Sequence, residues 1–215
     1  MLKTAPDLPL SEDEWREYLF REAFGQVVAV GVNRNTPVIT PVHFIEGAGG
    51  TLEFHLHRAN PFLDALRELP RATMSVVSAQ AFIPSSWNAE PEEDAMWSAP
   101  TSYYAAVQAT GTTEFLESEA LADHLNREVA FFQPSVSIHR VEAGRSYFGR
   151  ALAAIVGVRI SIEQVQAKFK FGGNRAKEHR LTIAANLAQR GAPNDLAALA
   201  HLLRRTVTAE ERPRS

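Results

Sequence analysis

The ten residues from Leu52 to Pro61, Leu-Glu-Phe-His-Leu-His-Arg-Ala-Asn-Pro, force the backbone to change state. Leu52, Phe54 and Leu56 alternate with Glu53, His55 and His57, which is the period of a strand with one dry face. Then the strand must stop. Asn60 is a good N-cap, Pro61 suits the first helical position, and Phe62, Leu63, Leu66 and Leu69 follow at helical spacing. A strand that runs into a helix start, with Arg58 at the junction, suits an anion. The amides of a helix start point outward, the helix dipole favours negative charge, and a guanidinium can hold a phosphate with two hydrogen bonds. The same residues also read as a solvated arginine beside an ordinary cap, since such joints are common.

The flanking sequence predicts strands linked by short turns. Ser11-Glu12-Asp13-Glu14 is a capping box, opening a helix that carries Trp15, Tyr18, Leu19 and Phe24 on one face, with Gly25 as its stop. Strands are expected over 26–32, 37–46, 71–83 and 103–116, the last interrupted by Gly111. The first of these form a meander, and Pro41 marks an edge or a bulge because proline cannot donate to a ladder. Residues 89–100 read as an acidic loop between Trp87 and Trp97. A helix is expected over 119–132, with Leu121, Leu125 and Val129 as its apolar stripe. Residues 133–144 read as irregular, 147–162 as a helical turn and a strand, and Lys168-Phe169-Lys170-Phe171 as a short basic and aromatic run.

The tail, about 176–206, reads as two helices split by Gly191-Ala192-Pro193-Asn194 and ending in Arg204-Arg205. A helix-turn-helix reading is weak. The turn is too long, and Leu196-Ala197-Ala198-Leu199-Ala200 has little with which to read a groove. Without repeats or an evident linker, 1–215 is expected to be a single domain, mainly β with peripheral helices, in which the strands form a barrel.

Composition removes several classes of chemistry. The 215 residues include no cysteine, which excludes disulfides, thiolate metal sites and cysteine nucleophiles. A net charge of −3 gives no bulk affinity for nucleic acid. With no leader-like start and no apolar run near the ~20 residues of a membrane span, a cytoplasmic location without membrane contact is expected. There is no Gly-Xaa-Ser-Xaa-Gly elbow, Walker loop or dinucleotide fingerprint.

Two chemistries stay open. His55 and His57 share a strand face, with His43 on the strand before and Glu53 close by, a set from which two imidazoles and a carboxylate could hold a metal or His a haem. The same histidines also suit a wet barrel face with no metal. A phosphorylated planar cofactor fits better. The 58–60 joint suits its phosphate, Trp87, Tyr103, Tyr104 and Phe169 offer flat surfaces, and Ser85, Ser86 and Thr101 offer hydroxyls.

The chain also resembles a known family. His55-Leu56-His57-Arg58-Ala59-Asn60-Pro61 is similar to the His-Leu-Ala-Arg-Ala-Asn-Pro run of PaiB-type FMN-binding proteins, often called negative transcriptional regulators. In the same order, 80–87 resembles that family's Ala-Tyr-Ile-Ser-Pro-Ser-Trp segment and 100–109 its Pro-Thr-Trp-Asn-Tyr-Xaa-Ala-Val-His-Ala strand. Residues 154–157, 168–170 and 174–175 resemble its C-terminal signature. Ser102-Tyr103 replaces Trp-Asn, Gly173 replaces Gln, the segment's Pro is displaced to Pro84, and His57 stands where the family has Ala.

The resemblance implies a split β-barrel of the FMN-binding, pyridoxamine-phosphate oxidase-like type, forming a homodimer with FMN at the interface. Arg58 and Asn60 would serve the phosphate, with His57 beside them. Thr40, Pro41 and Val42 would line the isoalloxazine with main chain. Ser85, Ser86 and Trp87 would lie beside the flavin, Thr101, Tyr103 and Tyr104 would approach from the partner chain, and Lys168 or Arg175 would close the pocket. The expected function is FMN-dependent redox chemistry on a small molecule or flavin-linked regulation. The alternatives are a regulator of DNA or of a protein partner, supported here by Arg204 and Arg205 alone, and a haem or metal barrel.

Overall fold

A computed structural model describes residues 1–208 apart from Pro91, Ser137 and Arg145. The described residues form seven strands: β1 (Phe24–Ala29), β2 (Val38–His43), β3 (Ile45–Glu46), β4 (Leu52–His57), β5 (Arg71–Ile83), β6 (Thr101–Leu116) and β7 (Ile155–Lys170). The helices are α1 (Glu12–Glu22), α2 (Pro61–Glu68), α3 (Ser85–Asn88), α4 (Ser118–Phe132), α5 (Ser146–Ala153), α6 (Lys177–Arg190) and α7 (Asp195–Thr208). One open sheet runs in the order β2-β1-β5-β6-β7-β4-β3, and β1–β2, β1–β5, β3–β4 and β4–β7 are antiparallel pairs. The architecture is mainly β with surrounding helices. By packing, the chain divides into two compact units, residues 18–76 with 108–165, and residues 1–17 with 77–107 and 166–215.

In the first unit, Leu52, Phe54 and Leu56 of β4 and Phe62, Leu63 and Leu66 of α2 are all buried, α2 packs on β1 and β2, and Phe54 meets Phe62 edge to face. Asn60 caps α2 as expected, its Oδ1 accepting from the Phe62 amide at 2.9 Å. Pro41 lies on the edge strand β2, opposite Gln26, where a missing amide is tolerated.

Several expectations change. The meander reading fails at β4, whose long partner is β7: His55 pairs with Gly157 and Glu53 with Arg159, a pairing over a hundred residues apart that local pattern does not show. The strand expected over 37–46 breaks at Phe44, whose amide turns to the Ala23 carbonyl. Gly25 is not the helix stop. Ala23 takes the left-handed turn (φ 51°), and Gly25 lies in β1, where a Cβ would sit 2.8 Å from the Ser75 carbonyl oxygen. Gly111 does not interrupt β6. It lets β6 pass β7 so closely that a Cβ would overlap the Ser161 carbonyl. The 168–171 run is mostly the end of β7. In α4 the fully buried face is Leu121, Ala122, His124 and Glu128, whereas Leu125 and Val129 are only half-buried. Residues 89–100 and 133–144 contain no helix or strand among their described residues; Pro91 and Ser137 lie outside them.

In the second unit, Tyr103, Phe169, Phe171, Ile183, Leu187, Ala198 and Leu202 are buried. The two tail helices form where expected. Gly191 closes α6 in the left-handed conformation (φ 57°), and Asp195 at the start of α7 accepts from the Ala192 amide and from Arg190. Arg205 is buried against the Glu14 carboxylate, and Arg204 lies 3.5 Å from Glu17. The basic pair that supported a DNA reading is thus engaged in ion pairs within this unit.

Candidate functional site

The first unit carries the 40–60 part of the expected site. The joint between β4 and α2 is internally saturated. The Arg58 amide donates to the Ala154 carbonyl, the Ala59 amide to His57 Nδ1, the Asn60 amide to the His57 carbonyl, the Phe62 amide to Asn60 Oδ1 and the Leu63 amide to the Asn60 carbonyl. The outward-pointing amides expected here are therefore taken up by the tight turn and by the Ala154 carbonyl. What remains for an anion is the Arg58 side chain. Its Nε and Nη2 donate to the Ala153 and Ile155 carbonyls, and its Nη1 to Glu117 at 3.1 Å, a pair exposed on both sides. Thr40 Oγ1 stands 3.5 Å from Asn60 Oδ1.

Two cavities open beside these residues. The larger, about 490 Å³, is walled by Pro41, Val42, Leu56, Val129 and Phe132, with His43, His55, Glu128 and Gln133 as its polar groups. His43 is held between Phe24 and Phe132, at ring separations of 4.8 and 5.0 Å. The smaller, about 240 Å³, is lined by Arg58, Glu117, Gly144 and Ala153 among others. Pro41 and Val42 thus share one cavity, and Arg58 belongs to the other. His57 is exposed and turned back to its own chain.

Behind the larger cavity lies a polar cluster that the alternation of 52–57 hid. Glu53 is fully buried and accepts from Arg127 and Arg159, with His124 Nδ1 at 3.3 Å. Burial alone would raise its carboxyl, but His124, Arg127 and Arg159 overturn that and hold it down at about 2. His55 Nδ1 stands 3.0 Å from Glu128 Oε2, and the rings of His55 and His124 lie 5.8 Å apart. His124 is completely buried, and neither of its ring nitrogens has a hydrogen-bond partner among the described residues. His43 and His55 do share a cavity, but the carboxylate beside His55 is Glu128, and Glu53 belongs to the arginines. The one sequence signal for these residues was His124-Xaa-Xaa-Xaa-Glu128 on the inner face of a helix, an i, i+4 spacing that puts both side chains on one side.

The second unit carries the rest. Ser85, Ser86 and Trp87 form the single turn α3, with Ser85 half-buried and Ser86 exposed. Arg190 sits 4.7 Å over the Trp87 ring, and His179 Nε2 bonds the Trp87 carbonyl at 2.8 Å. Thr101 Oγ1 accepts from Lys170 at 2.8 Å. Tyr104 is half-buried. Tyr103 is buried edge to face against Phe171, its hydroxyl unpartnered among the described residues, and burial pushes that phenol up to about 12. Lys168 is buried too, donating to the Leu2 carbonyl at 3.0 Å and facing Asp7. Arg175 pairs with Glu90, which it holds below the ordinary carboxylate range, and His179 reaches the same carboxylate. Tyr103 and Lys168 therefore pack the interior of this unit.

The open, mainly antiparallel sheet with its helices has the split-barrel fold. Residues 9–164 match the family described as "Putative FMN-binding domain", and the chain belongs to that family of FMN-binding domains. FMN is the cofactor that membership assigns. Among solved structures, the chain is similar to the FAD and heme binding protein from Mycobacterium smegmatis (22% identity, 82% of this chain and 78% of that one, TM-score 0.57). It is also similar to a conserved hypothetical protein from Mycobacterium tuberculosis (15% identity, 79% and 90%, TM-score 0.53) and to the flavocytochrome Anf3 from Azotobacter vinelandii (16%, 75% and 68%, TM-score 0.52). At these identities the likeness speaks for the fold. No curated protein matches the sequence.

Proposed function

We propose that this chain is an FMN-dependent oxidoreductase acting on a small molecule. The observation that carries the reading is the cavity beside Pro41 and Val42. It has apolar lining from Pro41, Val42, Leu56, Val129 and Phe132, imidazole, carboxylate and amide groups from His43, His55, Glu128 and Gln133, and a volume of about 490 Å³, within the usual range for a cofactor site. Bound FMN would supply hydride and single-electron transfer, which no side chain here can. The protein's part is to hold and orient. Main chain at Thr40, Pro41 and Val42 would line the ring, and Arg58, which lines the second cavity, would give up its exposed Glu117 partner for the phosphate while Asn60 keeps the joint in shape. The family resemblance further implies contacts from Ser85, Ser86 and Trp87 and, from the partner chain, from Thr101 and Tyr104. As the family resemblance implies, the working form is a homodimer with FMN at its interface. Two neighbours bear flavin names, an FAD and heme binding protein and a flavocytochrome, which supports the cofactor class.

The test is the purified full-length protein. A flavin absorbance spectrum near one FMN per chain is expected, together with a melting temperature that rises with added FMN as binding to the folded state requires. A colourless protein whose melting is indifferent to FMN overturns the reading. Light scattering during size-exclusion chromatography reads the dimer.

A further inference from the structure

We propose that His55, His124 and Glu128 form a binding site for one divalent transition-metal ion, with an open coordination position facing the larger cavity. The donors come from two elements that meet in the first unit, His55 from β4 and the pair His124 and Glu128 one turn apart on α4. One ligand atom from each lies within 4.8 Å of the other two. Metal–ligand bonds of about 2.0–2.2 Å place ligands roughly 3–3.5 Å from one another around one ion. The 3.0 Å between His55 Nδ1 and Glu128 Oε2 already meets that spacing, and the His124 ring has to close by about an ångström.

Burial points the same way. His124 is wholly inside the protein with its Nε2 unpartnered among the described residues, and an imidazole nitrogen is left bare in an interior only at a cost. An ion supplies the missing partner. The other ring nitrogen, Nδ1, makes no hydrogen bond among the described residues either, but it stands 3.3 Å from Glu53, the carboxylate that Arg127 and Arg159 fix in place. A carboxylate behind a histidine is the usual device that orients the ring and leaves its far nitrogen to the metal. Two imidazoles and one carboxylate, without sulfur, suit zinc or ferrous iron. Since His55 and Glu128 also line the cavity while His124 closes the site from behind, the remaining coordination position faces space that a small molecule can occupy. The open position faces the same cavity as the proposed flavin, but metal binding is read without flavin and does not depend on that reading.

The experiment uses full-length protein stripped with a chelator and titrated with Zn²⁺ by calorimetry, with metal content after desalting as a second readout and no flavin readout involved. One ion per chain is expected. His55→Ala and Glu128→Gln should each weaken binding at least tenfold, while His57→Ala, an exposed histidine two residues away on the same strand, should leave it unchanged. Because buried His124 is the variant most prone to misfolding, the decision rests on His55 and Glu128, whose folding is checked by circular dichroism. Absence of Zn²⁺ binding, or binding that survives both variants or that is lost with His57, overturns the proposal.

Discussion

Arg58 is the residue on which the cofactor reading is easiest to test. It has three acceptors, two of them main-chain carbonyls and one the exposed Glu117. Surface pairs of this kind contribute little, so exchange for a phosphate is inexpensive. Replacing Arg58→Ala should weaken FMN binding by about 1.5–3 kcal/mol, the scale of a charge-assisted hydrogen bond, measured by fluorescence titration of the flavin. Glu117→Gln should leave affinity equal or improve it, because it removes the competitor; weaker binding in that variant would place the phosphate elsewhere. Tyr103 tests the opposite situation. Its hydroxyl is buried without a partner among the described residues, so Tyr103→Phe should raise stability by about 1 kcal/mol in chemical denaturation. A loss of that size would mean the hydroxyl has a function in the folded chain.

Between elements, the α6–α7 turn is held by Asp195, which accepts from Arg190 through both oxygens and from the Ala192 amide. Arg190 draws the carboxyl below its ordinary range. A carboxylate with a depressed folded value stabilises above its unfolded value near 4 and loses that contribution as pH falls through the lower folded value. Asp195→Asn should therefore lower the melting temperature at pH 7, and the difference from the parent protein should shrink below about pH 4. A gap that stays constant with pH would show that charge is not what matters there. This turn was legible in the sequence because glycine, proline and a capping residue act locally, as Asn60 and Pro61 do for α2. The partner of β4 was not legible, since pairing across a hundred residues leaves no local trace. Glu53 was misread for a related reason. Alternation assigns one face to solvent, and only the later elements α4 and β7 reveal that this face is covered and its charge paired.

Across the chain as a whole, the candidate site divides along the same line. Arg58, Asn60, Pro41 and Val42 sit in motifs that sequence can read, whereas His124 and Glu128 acquire meaning only when α4 meets β4. Arg204 and Arg205 show the converse error, because a basic pair at the end of a helix reads as a surface feature until its partner is known. Arg205 is 3% exposed, stacks 4.7 Å over the Phe169 ring and donates to both oxygens of Glu14, joining the last described helix to the start of the first. Breaking one side of a buried pair leaves an uncompensated charge and costs about 3–5 kcal/mol, whereas replacing both by apolar groups of similar volume is often neutral. Arg205→Met alone should therefore lower the stability of the protein by that amount in denaturant unfolding, and Glu14→Met with Arg205→Met should recover most of it. A double variant as unstable as the single one would mean that the hydrogen bond from the Leu10 amide to Glu14, which the second substitution also removes, matters more than the ion pair.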